Sequence, residues 1–261
     1  MTIKTRSVFY YVDGITSDNN LMNFIEPNQA NIELTGTLQI GTYSMSQLVI
    51  EVQRALNDAG ENTYTVTFDR ATRIMTIAAD DDFNLLVTTG SNAGLSVWSL
   101  IGFTSDKTGS ATYDSDEAFG SAYKPQYLLQ SYKDVDNNVE GIRSSVNESA
   151  SGVVEVVTFG NRSFYEMNIK WITDRVVSKS SFLENNQNAL TEARSFLSFC
   201  ITKQNLEFMK DETNRDTFDI VLLESTRASR QGTSYELREL LIGEGLDEYY
   251  ETGVLKFRRV V

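Results

Sequence analysis

The side chains best suited to catalysis in this chain are its carboxylates, because the 261 residues include no histidine. The absence of imidazole excludes Ser-His-Asp and Cys-His nucleophiles, the common zinc sites and the usual general base near neutral pH. Two carboxylates that face each other across a groove could still hydrolyse a glycosidic bond. No spacing selects a pair, so we predict no enzyme activity and no catalytic residues. The acidic candidates are Asp80, Asp81, Asp82, Glu166 and Glu224.

Two acidic stretches suggest a divalent cation at first sight. Asp80, Asp81 and Asp82 are consecutive, and consecutive residues of a strand or turn do not converge on one ion, so we interpret them as a solvated turn. Residues 134–138 resemble the start of a calcium loop, but Val139 stands where that loop needs glycine and Ser145 where it needs glutamate. We therefore expect no metal and no cofactor.

The overall charge argues against nucleic acid as a partner. The chain has 23 basic and 36 acidic residues, a formal net charge of −13 and a pI near 4.5. Affinity for phosphate backbones depends mainly on Lys and Arg, which makes a continuous basic binding surface improbable here. The single cysteine, Cys200, follows Phe196 and Leu197 at helical spacing and is predicted to lie in the core.

Apolar runs in this chain are short. The longest near the N-terminus, residues 8–12, lacks the length of a signal-peptide core, and no run approaches the roughly 18 apolar residues of a membrane span. We expect a protein that is made in a cytoplasm, has no membrane span and stays soluble.

The chain is organised around a helix and the hairpin that follows it, within residues 43–77. Ser44 and Gln47 have the spacing of a capping box, and apolar residues then recur at helical intervals until Gly60. Alternating strands at residues 64–68 and 74–77 are joined by a polar turn, so the helix is expected to lie across the hairpin.

The second half contains one main helix and several strands. Asn188 is predicted to cap the helix, which should lie near residues 189–203. Gly160 and Asn161 form a typical hairpin turn pair, so we predict strands at 153–159 and 164–172. A strand is also predicted at residues 218–223, and a short helix at 235–241.

The terminal strand, residues 254–261, is predicted to lie exposed at the edge of a sheet. Its basic residues stand out in an acidic chain and could pair with an acidic second copy. Positive charge also protects edge strands from aggregation, and this alternative stays open. The predicted oligomer interface comprises Lys256, Phe257, Arg258 and Arg259.

The Ser/Thr/Gly/Asp-rich tract at residues 104–120 has the composition of an exposed loop or a domain boundary. We predict N-terminal strands at residues 1–30 that could pack on the C-terminal body, a helix-on-hairpin module at 31–118, and a tube-like body at 119–261. The fold class is α+β, mainly β: a β-sandwich or tube-like β-barrel body with one main helix, plus the smaller helix-on-hairpin module.

Short segments throughout the chain resemble virion structural proteins of tailed bacteriophages. In the first half these are Ile-Thr-Ser-Asp-Asn-Asn at 15–20 and residues 41–44, 54–57, 64–67 and 99–104; in the second half they are residues 146–152, 206–209 and 251–257. The likeness covers most of the chain in short pieces. It transfers no functional residues, because such proteins have no catalytic set.

Within that class, a mostly-β body with one substantial helix is similar to distal tail and baseplate proteins. The resemblance implies a ring between the tail tube and the adsorption machinery, with copies of itself and other virion tail proteins as partners. The module would project from the ring, and the protein would be located in the virion. A neck protein and a capsid decoration protein are alternatives.

A receptor-binding adhesin is a further alternative, because carbohydrate-binding surfaces use exposed aromatic side chains. Strand tyrosines also pack in cores and at protein interfaces. The tyrosines available for such a surface are Tyr10, Tyr11, Tyr113, Tyr123, Tyr249 and Tyr250.

Overall fold

The computed structural model describes residues 7–12, 14–125, 137–174, 188–240 and 248–260, with the backbone alone at 137–145, 155 and 157–162. The chain divides into two compact units. The N-terminal unit comprises Phe9–Ala122 and Asn214–Thr217, and the C-terminal unit comprises Met1–Val8, Tyr123–Thr213 and Phe218–Val261. The predicted α+β, mainly β fold class is confirmed, and the sheets within the described residues do not close into a barrel.

The N-terminal part of the chain is an antiparallel sheet with one helix. Its strands, in the order β3-β2-β5-β4, pair antiparallel, and β6 pairs with the long strand β5. Strands β1 and β7 are neighbours. The elements are β1 (Val8–Tyr11), β2 (Leu21–Ile25), β3 (Glu33–Thr37), α1 (Met45–Ala59), β4 (Tyr64–Phe68), β5 (Met75–Leu85), β6 (Lys107–Asp114) and β7 (Ser121–Tyr123).

The predicted helix-on-hairpin arrangement is confirmed. The Ser44 hydroxyl accepts a hydrogen bond from the Gln47 backbone N–H, and the Gln47 side chain accepts one from the Ser44 N–H, which completes the capping box. The apolar stripe of α1 is buried, and β4 and β5 follow as an antiparallel hairpin. The sheet core contains the fully buried side chains of Phe24, Tyr64, Phe83, Trp98 and Phe103.

The C-terminal unit is a second antiparallel sheet, in the order β10-β11-β14-β9-β8, with α2 packed against β11. Cys200 is fully buried as predicted, and burial raises the pKa of its thiol. The elements are β8 (Asn137–Glu148), β9 (Val154–Asn168), α2 (Leu190–Ile201), β10 (Leu206–Met209), β11 (Asp219–Ser225), β12 (Arg238–Glu239), β13 (Tyr250–Glu251) and β14 (Val254–Arg259), with β12 paired to β13.

The main helix lies where it was predicted, but Asn188 does not cap it. The N-cap position is Ala189, and the Asp174 carboxylate accepts hydrogen bonds from the backbone of Leu190 at 2.7 Å and of Thr191 at 3.3 Å. Partial burial alone would raise the pKa of Asp174, but the hydrogen bonds from Thr191 and Leu190 lower it overall. Asn188 instead exchanges backbone hydrogen bonds with Trp171 and Thr173. A carboxylate distant in sequence thus replaces the local cap.

The predicted hairpin turn at Gly160 and Asn161 is wrong, because both residues lie inside β9. The register with β8 shifts there: Ile142 pairs with Asn161, and Ser144 pairs with Thr158. One residue of β8 therefore lies opposite two of β9, which is a β-bulge and a common position for a strand glycine.

Two polar stretches predicted as turns or loops form strands. Asp80, Asp81 and Asp82 lie in β5, and the tract at 104–120 contains β6. The Asp116 carboxylate orders this tract by accepting hydrogen bonds from the backbone N–H of Thr104 and from the Lys107 ammonium group. Burial alone would raise the pKa of the Asp116 carboxyl, but the hydrogen bonds lower that pKa to about 2.

The boundaries of the units also differ from the predicted ones. Strand β2 pairs with β3 and β5, so residues 21–25 belong to the sheet of the predicted module and not to a separate segment of residues 1–30. Residues 235–240 contain β12 where a helix was predicted, and residue 241 lies outside the described residues.

Candidate interaction surface

The predicted oligomer interface at β14 is not a sheet edge. Strand β14 lies between β11 and β9 and pairs with both. Phe257 is fully buried, and Arg258 lies opposite Leu222 on one side and Phe164 on the other. These partners lie about 30 to 90 residues away in sequence, so the local pattern identified a strand but not its position in the sheet.

The basic residues of β14 interact with acidic residues of their own sheet. Lys256 Nζ lies 3.5 Å from a Glu166 carboxylate oxygen and 4.1 Å from the centre of the Phe164 ring. Arg259 Nε lies 2.9 Å from an Asp219 oxygen. Intrachain pairing therefore accounts for the charges of Lys256 and Arg259. The edge position predicted for this strand is wrong, and the oligomer interface assigned to it stays a prediction.

The β8–β9 hairpin extends beyond the rest of its sheet. Strand β14 pairs with β9 only over residues 164–168. The preceding residues of β9 pair with β8 alone, down to the Glu148–Val154 pair. We call this two-stranded segment, residues 141–162, the arm. Neither edge of the arm pairs with a further strand of this sheet in the described residues.

A tight turn closes the tip of the arm. The Gly152 N–H donates to the Ser149 carbonyl at 2.8 Å, and the Ser149 N–H donates to the Val153 carbonyl at 2.9 Å. The Ser149 hydroxyl also accepts from the Val153 N–H at 3.1 Å. Gly152 has a φ of 78°, a left-handed conformation that glycine adopts without strain. These contacts fix the register of the tip.

Four valines at the end of the arm are exposed. Val146 and Val156 lie directly opposite each other and are 64% and 60% exposed. Val154 is 56% exposed and lies on the same face, because side chains alternate along a strand. Val153, at the turn, is 65% exposed. Contiguous apolar side chains in water are typical of binding surfaces.

Strand β8 is the last strand of its sheet, and no strand of the described chain lies on its outer side. A strand in this position presents a row of backbone N–H and C=O groups to other chains. Proteins usually blunt such edges with charged side chains, lysine above all, or with proline. Strand β8 contains no lysine and no proline, and its charged residues are Glu140, Arg143 and Glu148. Together with the exposed valines, this edge makes the arm the candidate functional surface.

The edge strand of the N-terminal sheet, β4, differs from β8 because side chains of α1 bond to its backbone. Helix α1 covers β4 with amide side chains: the Asn57 side chain accepts from the Tyr64 N–H at 2.7 Å and donates to the Tyr64 carbonyl at 3.2 Å. The Gln53 side chain accepts from the Val66 N–H at 3.1 Å. Three backbone groups on the outer side of β4, the Tyr64 N–H and carbonyl and the Val66 N–H, are therefore bonded within the chain.

A buried carboxylate anchors this covered edge. Glu26 is fully buried, and its oxygens accept hydrogen bonds from the Tyr64 hydroxyl at 2.8 Å and from the backbone N–H groups of Glu61 and Asn62 at 2.9 and 3.1 Å. Gln29 donates a fourth at 2.6 Å. Burial, followed by the Glu26 contact, raises the pKa of the Tyr64 hydroxyl. This fully satisfied network holds the start of β4 against the end of α1.

The other acidic candidates have local partners. Asp80 accepts from the Thr63 N–H at 2.8 Å, and Glu166 pairs with Lys256. Glu224 lines a cavity of about 290 Å³, whose other lining residues are Ser225, Thr226, Arg230 and Lys256. No three potential ligands cluster for a metal ion within the part of the chain that the structure describes. Residues 134–136 of the calcium-like stretch lie outside that part, and Asn137 begins β8.

The tyrosines considered for a carbohydrate surface are largely inside the protein. Tyr10, Tyr11, Tyr123 and Tyr249 are buried, and Tyr113 is half-buried with its hydroxyl bonded to the Phe83 carbonyl at 2.8 Å. Tyr250 is half-buried in β13. The structure thus does not bring these tyrosine rings together as an exposed surface. These tyrosines therefore no longer support a receptor-binding adhesin.

The sequence predictions did not include the exposed valines of the arm, although the sequence contains a pattern that indicates strand association. Val153, Val154, Val156 and Val157 surround a single glutamate, a short β-prone run with little charge of the kind that pairs with other strands.

No protein-family model matches the chain, and no curated protein sequence matches it significantly. Neither helix among the described residues has the length and apolar composition to cross a membrane.

Proposed function

We propose that this protein is a structural subunit of a tailed-bacteriophage virion, located in the tail tip or baseplate. There it joins copies of itself and other tail proteins into a ring between the tail tube and the adsorption apparatus. The class of function is assembly, in which the protein acts by contact with other subunits.

The observation that carries the proposal is the arm, with its exposed edge strand and exposed valines. Such a surface fits a protein that completes its packing in an assembly, because large apolar patches and long bare edges favour association. The virion is suggested by the phage-like segments. Several of these lie in ordered elements, including residues 54–57 in α1, 64–67 in β4 and 146–152 at the tip of the arm.

Immunogold electron microscopy of purified particles tests this proposal. Antibody raised against the protein should label one end of the tail, and extracts of infected cells should show the protein sedimenting with intact virions. Label at the neck or over the head would instead favour a neck or decoration protein. Absence of the protein from washed, infectious particles would contradict a virion function altogether.

A further inference from the structure

We propose that the arm is the docking site for a second copy of this chain, and that the two copies pair edge to edge through β8. This inference rests on the proposed function, because the pairing of two β8 strands would be one of the contacts through which the subunit assembles. It is tested in solution, so that its failure can be told apart from a failure of the virion proposal.

The chemistry of the edge suits an identical partner. The outward-facing N–H and C=O groups of β8 alternate along the strand, so an antiparallel copy of β8 offers a donor for each acceptor. The same antiparallel addition makes the sheet that contains β8 continuous through both copies. A two-fold axis perpendicular to the sheet places the two valine faces on the same side, where they form one larger apolar surface.

The charge pattern also favours a second copy over a strongly acidic or basic partner. The chain as a whole carries −13, so two copies repel each other in general. The arm is locally neutral: Arg143 and Arg162 balance Glu148 and Glu155. Copies can therefore approach here without a net electrostatic cost, whereas a charged partner would find no complementary field.

One register satisfies these conditions around Val146. Pairing Val146 with the same residue of the other copy sets Ser144 opposite Glu148, both within β8. Glu148 then faces no like charge, whereas centring on Glu148 would oppose two glutamates directly. An isologous contact of this kind closes a dimer, so a ring that uses it would be built from dimers.

The test is a charge-complementation experiment on the purified full-length chain. We expect the wild-type protein to form dimers in sedimentation equilibrium. The single variants Val146→Lys and Val146→Glu should each weaken dimerisation by about 100-fold, because like charges would meet across the axis. An equimolar mixture of the two variants should recover dimers, since lysine would then face glutamate.

Ile50→Lys is the matched control, because Ile50 is 69% exposed on α1 and lies outside the arm. It should leave dimerisation unchanged, and circular dichroism should show that all variants keep the wild-type fold. A monomeric wild-type protein at all concentrations would overturn the inference, as would dimers that persist in both single variants or a mixture that fails to associate. None of these outcomes would remove label from the virion, which tests the proposed function separately.

Discussion

The two larger sheets of the described residues have edge strands with different surroundings. Strand β4 has three of its backbone groups bonded to the Gln53 and Asn57 side chains of α1, whereas β8 meets no strand of the described chain on its outer side. The residues that face solvent at β4 alternate with buried ones, but the tip of β8 and β9 exposes valines. Any edge strand tends to pair with another strand. The two edges therefore differ in whether other groups of the chain, such as the α1 side chains at β4, bond to their backbone.

At β4, the helix amides and the buried Glu26 stabilise the N-terminal unit. At β8, backbone hydrogen-bonding groups and exposed valines are available for the docking proposed above. Substitutions at the covered edge should therefore change stability, whereas substitutions on the arm should change association and leave folding intact.

The largest effect is expected from removal of the anchor at the covered edge. Glu26→Ala leaves the Tyr64 hydroxyl and two backbone N–H groups buried without acceptors, so the free energy of unfolding should fall by about 3–5 kcal/mol. Urea denaturation of the full chain measures this change. Glu61→Ala is the matched control, because its side chain is exposed, and equal losses for the two variants would contradict the anchor role.

A smaller loss should follow when the cover of β4 is removed. The double variant Gln53→Leu with Asn57→Leu deletes three side-chain hydrogen bonds to β4, which should cost about 2–3 kcal/mol. It should also create a second bare edge, so light scattering should detect association that the wild-type protein lacks at the same concentration. Ile50→Leu, on the exposed face of α1, should do neither. Unchanged stability and scattering in the double variant would show that the amides do not protect the edge.

Asp116→Asn is expected to cost about 1 kcal/mol at pH 7, because both side chains of its ion pair with Lys107 are partly exposed and solvent screens the pair. The folded-state pKa of about 2 lies below the ordinary value of 3.8, so the contribution of this carboxylate is complete above pH 4 and is lost as the pH falls towards 2. Thermal unfolding of both proteins from pH 7 to pH 2.5 should therefore show converging Tm values. A difference that stays constant with pH would contradict this interpretation.

The smallest effect on stability is expected on the arm. Val154→Thr changes an exposed side chain and should alter the free energy of unfolding by less than about 0.5 kcal/mol. The same substitution at Val66, buried in β4, places a hydroxyl in the core and should cost about 1–2 kcal/mol. Differential scanning calorimetry compares the two. A loss at Val154 as large as at Val66 would mean that the arm valines support the fold.

The covered edge was largely predictable from the sequence because its determinants are local. Ser44, Gln47 and Gly60 mark the ends of α1, and the alternation in β4 indicates which face is buried. These signals lie within a few residues of the elements they specify. The helix-on-hairpin arrangement therefore followed from pattern alone, whereas the buried role of Glu26 needed the tertiary structure.

The bare edge could not be placed in this way, because strand order depends on contacts distant in sequence. Residues 254–259 have the composition of a strand at any position, and only pairing with β9 and β11 makes β14 internal. The sequence around Gly160 is compatible with a turn or with a β-bulge. Pairing with β8 places Gly160 in a bulge. The predicted edge thus fell on an internal strand, while β8, the last strand of its sheet, spans residues that were considered for calcium and, at 146–148, for the phage resemblance.

Hydrogen–deuterium exchange over a series of protein concentrations tests the central claim most directly, since it observes both edges in one experiment. If β8 pairs with a second copy around Val146, amides on its outer side within residues 144–148 should become more protected as concentration rises, while those of β4 keep a constant protection. Protection of β8 that is independent of concentration would contradict the claim that the arm is the surface of association.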